Sequence, residues 1–387
     1  MAGVSWDGIP GTDRHVVSAM TSFARILWVD PAVSPVRQSL RTSMTGRAMR
    51  PVLSQAAPRI ARLTPCAFPG FTKPIVRLTT TSVVRWQIVW ALRRLGVRPM
   101  AVVATHLDGA LGNWDAGVTS VLYGTDDYVA GARLMGLSVR RQIKQERRSL
   151  AKADRVAAVS LELVSRWAEF GPEPEFIPNG CWPQNPARKP RPPSSLALTK
   201  PVVGLVGQLS DRIDLSILEA IAEAGHSLLI VGPLDPRCDC ARFYALASRP
   251  GVHYAGPVVP SAVPNYLAAM DIGITPYRDT SFNRASFPLK TLEYLAAGLP
   301  VITADLPAAR WLRADLDCLI ADRGSSPVLE LADSPSAFVA GIRRLTDAEL
   351  ASRESDLCIA FAERHSWPNR ARQLASIVGL VDSNDPA

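Results

Sequence analysis

Lys290 and Glu293 stand three residues apart in the segment SFPLKTLEYLAAGLPVITAD, residues 286–305. On a helix that spacing puts both side chains on one face. Lys290 would lie in the first turn, where the macrodipole disfavours a cation by about 0.3–1 kcal/mol. A bound anion reverses that penalty, because the N-terminal amides and the lysine can then share one phosphate. Glu293, one turn further on, could accept two hydrogen bonds from the vicinal hydroxyls of a ribose. The other reading is a solvent-facing ion pair worth about 0.2–0.5 kcal/mol. The surrounding residues specify the elements that must hold the pair. Ser286 reads as the helix cap and Pro288 as a first-turn residue. Leu289, Leu292 and Ala296 form one apolar stripe. Gly298 supplies a left-handed stop, Pro300 forbids continuation, and Val301-Ile302-Thr303 begins a strand. Loop, short helix and buried strand make one unit of a doubly wound sheet.

This segment resembles the donor-binding motif of GT-B glycosyltransferases, especially the large retaining family 4. In that family a Glu at the position of Glu293 holds the ribose of a nucleotide sugar. Many members carry a second Glu eight positions earlier, where this chain has Ala285. The Pro-Leu-Lys preceding Thr291 is similar to a subgroup typified by teichuronic-acid and exopolysaccharide enzymes. The likeness is strongest from about Pro201 to Pro307. It implies an α/β fold of two doubly wound, Rossmann-like domains facing each other across a cleft. It also implies a nucleoside-diphosphate sugar as co-substrate, no further cofactor and no required metal, since cationic side chains and a helix N-terminus stabilise the leaving diphosphate in this fold.

In open parallel sheets, ligands bind beyond the carboxyl ends of the strands. That rule selects residues 207–212, Gly232-Pro233, 277–286 and Lys290 with Glu293; taken with the resemblance, it gives Gly207, Arg212, Tyr277, Ser286, Leu289, Lys290 and Glu293 as the donor-binding set. Gly207 permits close backbone approach to a phosphate. Arg212 can reach a diphosphate bidentately, or pair with Asp211 or Asp214. In the N-terminal half the rule selects His106, Asp126 and Asp127 as catalytic candidates. A carboxylate there could take the proton of an acceptor hydroxyl. Alternatively, Asp126 or Asp127 caps a turn, and His106 is a turn residue.

Strands alternate with helices along the whole chain, which argues for parallel sheets. Asp13 to Phe23 reads as a helix, and Arg25 to Val29 as an early strand. Gly3 to Trp6 would supply a short first strand ahead of them. Residues 35–80 read as loop-rich and partly mobile. Further strands are expected at 100–105, 118–123, 154–160 and 176–177, with a basic helix over about 138–152. Residues 183–200, PQNPARKPRPPSSLALTK, are a proline-dense linker. The pattern then restarts with strands at 201–207, 227–231, 252–256 and 272–277. The expected division is an N-terminal acceptor-side domain over 1–183, a linker over 184–200 and a donor domain over 201–362. Residues 363–387 carry a helix that crosses back to the first domain.

A chain of 387 residues suits two domains rather than one core. No apolar run reaches the roughly 20 residues needed to span a bilayer, and no secretory leader is read at the start. The six cysteines lack framework or zinc spacing and read as reduced thiols of a cytoplasmic protein. Residues 1–190 hold 25 Lys/Arg against 13 Asp/Glu, while the remainder holds 18 against 22. Between Asp30 and Asp108 there are 12 basic residues and no acid. Such a half is drawn to anionic surfaces. The candidates are the inner face of the cell membrane with a lipid-linked phosphate, nucleic acid, or simply solvent. Residues 82–95 interleave Trp, Ile and Val with Arg, as interfacial helices do, and equally as a core helix does. No nucleic-acid motif accompanies the charge.

These residues point to a sugar transfer from a nucleoside diphosphate to a hydroxyl of a membrane-associated or polysaccharide acceptor. The alternatives are a nucleotide-sugar 2-epimerase and a catalytically degenerate protein that binds membrane or partners. A dinucleotide-dependent oxidoreductase lacks its G-x-G-x-x-G after any strand.

Overall fold

A computed structural model describes residues 1–33, 50–68, 74–107, 111–132, 135–183, 190–321, 328–346 and 351–381. The chain divides into two compact units, Met1–Pro178 with Trp367–Ala387, and Asn179–Ser366.

The first unit contains α1 (Thr12–Met20), β1 (Ile26–Val29), β2 (Val52–Ala57), β3 (Ile60–Thr64), α2 (Pro74–Leu95), β4 (Ala101–Ala104), β5 (Thr119–Gly124), α3 (Val139–Leu150), β6 (Arg155–Ala158), α4 (Leu161–Trp167) and β7 (Pro174–Phe176). Strands β4, β5, β6 and β7 form a parallel sheet in that order. A second sheet has the order β1-β3-β2, with β2 antiparallel to β3. Met1 and Ala2 link the two sheets. Ala2 N–H donates to the Val29 carbonyl and Thr105 N–H to the Met1 carbonyl, both at 3.0 Å. The Met1 ammonium donates to the Val103 carbonyl at 2.7 Å, and burial pulls its pKa down to about 6. Residues 3–6 therefore do not form the expected strand. Trp6 N–H instead donates to Asp30 Oδ1 at 2.9 Å, and its ring meets Trp28 edge-on.

Helix α2 is a core helix. Val84, Ile88 and Ala91 form its buried stripe against Val29 and Leu63. Its buried Gln87 donates to the Cys66 carbonyl and accepts from the Cys66 N–H, each at 2.8 Å. Only Trp86 of its tryptophans is exposed, at 65%. The hairpin β2–β3 falls inside the stretch read as loop-rich. The edge strand β2 is short and half-exposed, and the central strand β3 buries only Ile60 and Leu63 fully, so the pair carries little hydrophobic signal. The rest of that expectation, at 34–49 and 69–73, lies outside the described residues.

The second unit contains β8 (Val202–Val206), α5 (Leu215–Glu223), β9 (Ser227–Val231), α6 (Cys240–Ala247), β10 (Val252–Gly256), α7 (Val263–Leu267), β11 (Ile272–Thr275), α8 (Ser281–Arg284), α9 (Leu289–Ala296), β12 (Val301–Ala304), α10 (Pro307–Ile320), β13 (Leu329–Ala332), α11 (Pro335–Leu345) and α12 (Ala351–Arg364). Its sheet is wholly parallel, in the order β10-β9-β8-β11-β12-β13. Strands β8, β9, β11 and β12 are buried throughout, as a sheet covered on both faces requires. The winding reverses between β8 and β11, which is where such sheets leave a crevice. Of the expected linker, 184–189 lies outside the described residues and 190–200 has no regular structure. The chain closes with α13 (Trp367–Ile377) in the first unit, against α1; the His15 and Trp367 rings stack at 5.3 Å. All six cysteines are free thiols. No helix among the described residues is long and apolar enough to cross a membrane.

Candidate functional site

The reversal point of the second sheet is held open by one tyrosine. Pairing between β8 and β11 ends at Gly204 with Gly273. Beyond it, Val206 N–H donates to the Tyr294 hydroxyl at 2.7 Å. Tyr294 is fully buried, and burial drives its pKa upward. Its ring lies across Gly273, where a Cβ would stand 2.4 Å from it, so only glycine admits it. This anchor fixes α9 beside the carboxyl end of β8. Lys290, one turn earlier, consequently lies against Gly207: a Cβ there would be 3.7 Å from Lys290 Cε.

Gly207 follows β8 with φ +149°, a conformation essentially confined to glycine. The loop after β9 closes onto it, since a Cβ on Gly232 would stand 1.9 Å from the Gly207 carbonyl oxygen. Two bare backbones thus border the space beside Lys290.

Helix α9 starts at Leu289, with Pro288 at the cap position and no side-chain cap. The expected Ser286 cap is a correction: Ser286 is buried, and its hydroxyl donates to the Phe282 carbonyl at 2.8 Å. Pro288 holds ψ at 119° and so stays outside the helix. The first amides of α9 consequently lack a side-chain acceptor, which leaves them available to an anion. Asn179 secures the approach to the helix, donating to the Phe287 carbonyl at 2.6 Å. Lys290 Nζ meets Glu293 Oε2 at 2.6 Å, with the side chains 29% and 32% exposed. Both are therefore reachable from solvent.

Arg212 pairs with neither Asp211 nor Asp214. Its Nε donates to Asn283 Oδ1 at 2.8 Å, and its guanidinium lies over the rings of Tyr277 and Phe282, at 5.2 and 4.7 Å. Asn283 is buried and donates in turn to the carbonyls of Arg212 and Arg278. Asp214 instead caps α5. Tyr277 bridges to Ile213, so the loops after β8 and β11 run side by side. Gln208 donates to Asp235, which also binds Arg237; that arginine pulls the Asp235 pKa down to about 2.

In the first unit the candidates separate. Asp127 is buried and committed. Its Oδ1 accepts from the N–H groups of Val129 and Ala130, and Arg166 grips it at 2.5 and 3.0 Å. Arg166 also binds the buried Glu146 at 2.8 Å. A carboxylate held this way caps a turn and balances a cation, so the general-base expectation for Asp127 is corrected. Asp126 is exposed beyond β5, and His106 is half-buried beyond β4, close to Gly3.

Tyr294 and Asn179 were not legible as site residues, whereas Gly232 and Asn283 fall in stretches that the strand-end rule selects. Of the two missed, Tyr294 left a trace, a polar handle on the buried side of an apolar helix. A cavity of about 840 Å³ in the first unit is lined by apolar side chains such as Val16, Met20, Ile26 and Leu92. None of the donor candidates borders it, so cavity volume does not mark the chemistry here. Among the described residues, no group of three or more His, Cys, Asp or Glu is placed to hold a metal ion.

Residues 200–348 match the profile of a family described as "Glycosyl transferases group 1". TuaH of Bacillus subtilis (strain 168), named as a teichuronic acid biosynthesis glycosyltransferase, is 38% identical over 109 residues. That match covers 28% of this chain and spans 27% of TuaH's own length. A GDP-mannose-dependent alpha-mannosyltransferase of Mycobacterium tuberculosis is 24% identical over 319 residues, 78% of this chain and 77% of that protein. Anabaena Alr3699/HepE, solved in complex with UDP and glucose, superposes with a TM-score of 0.63 at 16% identity, covering 98% of both chains. The fold is GT-B, with two Rossmann-like domains.

Proposed function

We propose that this chain, whose residues 200–348 match the profile of the group 1 glycosyl transferases, moves a hexosyl group from a nucleoside diphosphate to an acceptor hydroxyl. The observation that carries this reading is the uncapped amide end of α9 with Lys290 held beside Gly207. There the diphosphate takes the place of the missing cap, and Lys290 turns from Glu293 to a phosphate oxygen. Glu293, released, accepts the ribose hydroxyls. Arg212 supplies a second cation from the neighbouring loop. Leu289, Ser286 and Tyr277 shape the walls.

In the transfer, the bond from the sugar's anomeric carbon to the diphosphate oxygen breaks and a bond to the acceptor oxygen forms. The leaving charge falls on groups that are already oriented, so no metal is required in this scheme. The acceptor proton goes to the departing phosphate. The cationic N-terminal half favours a membrane-associated or polysaccharide acceptor reached from the cytoplasmic side. Ala285, where paired-Glu relatives carry a carboxylate, favours a second reading, a donor-binding protein without turnover.

The test is a screen of nucleoside-diphosphate sugars with lipid-linked acceptors, reading out free nucleoside diphosphate. Release that depends on acceptor and vanishes in Lys290→Ala supports transfer. Binding without release by any donor supports the second reading. Absence of nucleoside-diphosphate binding overturns both.

A further inference from the structure

We propose that the outward face of α3, with the turn before it, docks this protein onto an anionic phospholipid surface. The helix reads VRRQIKQERRSL. Its one acid, Glu146, is buried and neutralised by Arg166. Ser149 and Leu150 are buried beside it. Arg140, Arg141, Ile143, Lys144, Arg147 and Arg148 are all exposed. At 3.6 residues per turn they fall within an arc of roughly 160°. That arc presents five cations and no anion. Beside it, Met135, Leu137 and Ile143 are exposed at 54%, 44% and 37%.

The combination selects the partner. A basic face meant only for water gains nothing from aliphatic side chains held out beside it. Nucleic-acid phosphates would use the cations but leave Met135, Leu137 and Ile143 without a role. An anionic bilayer uses both, taking the cations at its headgroups and the aliphatic groups at the acyl boundary. Residues 82–95 serve this purpose less well. Arg85 is engaged with the carbonyls of Gly112 and Asn113, and the apolar stripe of α2 is core. The docking surface lies in the first unit and the donor side chains in the second, so this proposal and the donor reading stand or fall separately.

The test is co-sedimentation of the full chain with vesicles of phosphatidylcholine alone, and with roughly one-third phosphatidylglycerol. The expected result is binding to the anionic vesicles only, weakening as salt rises. The variant Arg140→Glu/Arg141→Glu/Lys144→Glu should lose at least about tenfold in vesicle affinity, each reversed charge adding repulsion. Leu137→Ser/Ile143→Ser should weaken binding at high salt most. Circular dichroism and nucleoside-diphosphate binding should match the parent in both, because these positions are exposed. The proposal is overturned if the parent ignores anionic vesicles, or if the triple variant binds them unchanged. It is equally overturned if Arg93→Glu/Arg94→Glu on α2 abolishes binding while the triple variant does not. Tight binding to duplex DNA without vesicle binding would assign the face to nucleic acid instead.

Discussion

Replacing Lys290 by Met and Glu293 by Gln should split nucleotide affinity into two separable parts. Without ligand, Lys290 and Glu293 bond each other at 2.6 Å, both about a third exposed. A pair so placed contributes only about 0.2–0.5 kcal/mol, so breaking it should move the urea midpoint very little. The same exposure makes the exchange of partners cheap when a diphosphate arrives. A charge-assisted hydrogen bond from Lys290 to phosphate is worth about 1.5–3 kcal/mol. Lys290→Met should therefore weaken whichever of UDP or GDP binds by roughly 10- to 150-fold. The corresponding nucleoside, which has no phosphate, should bind the variant as it binds the parent. Glu293→Gln should weaken nucleoside and nucleoside diphosphate alike, by about tenfold, because both carry the ribose diol. Isothermal titration with the four ligand and variant combinations gives the answer. The reasoning is refuted if Lys290→Met weakens nucleoside and diphosphate equally, or if both substitutions leave affinity unchanged.

Three further outcomes are expected. Tyr294→Phe leaves the Val206 N–H without its acceptor and should cost about 1–3 kcal/mol in urea unfolding, along with a weaker diphosphate affinity as α9 loosens. Gly232→Ala drives a Cβ into the Gly207 carbonyl and should leave the second unit unfolded, whereas Gly225→Ala, at φ +80° with open space around it, should cost about 1 kcal/mol; solubility and urea midpoints separate the two. Burial raises the pKa of Glu146 above its ordinary 4.5 despite Arg166, so its protonated form favours the fold below that value and the contribution is lost as pH rises through the raised pKa. Glu146→Gln should flatten that part of the stability profile between acid and neutral pH, while Arg166→Met, which strands two buried carboxylates, should cost about 3–5 kcal/mol at neutral pH.

The strands of the second unit were legible because parallel, doubly covered strands must be continuous apolar runs, as in Val202–Val206 and Ser227–Val231. The placement of Lys290 and Glu293 one turn apart on a short helix was legible for the same kind of reason, since helical period and the Gly298–Pro300 stop are local. The cap was misread. Ser286 has the right chemistry, but its hydroxyl finds the Phe282 carbonyl, and Pro288 takes the cap position without offering an acceptor. The hairpin at 52–64 escaped notice because its edge strand β2 is half-exposed and its central strand β3 offers only Ile60 and Leu63 as fully buried residues. The alternatives at residues 82–95 could be decided only by finding Leu63 and Val29 against Val84 and Ile88.

The sequence by itself determined most of the alternation of strands and helices, and it singled out the segment proposed to grip a nucleotide. Those follow from period, glycine and proline, which act over a few residues. Only the tertiary structure decided which polar groups are spent and which remain available. Asp126 and Asp127 are equivalent on paper, yet Arg166, 39 positions away, binds the buried Asp127, whereas Asp126 is exposed. Lys290 is set beside Gly207 by a hydrogen bond from Val206 to Tyr294 across 88 positions. A side chain's availability depends on what else is folded against it, and partners that distant leave no periodic trace in the chain.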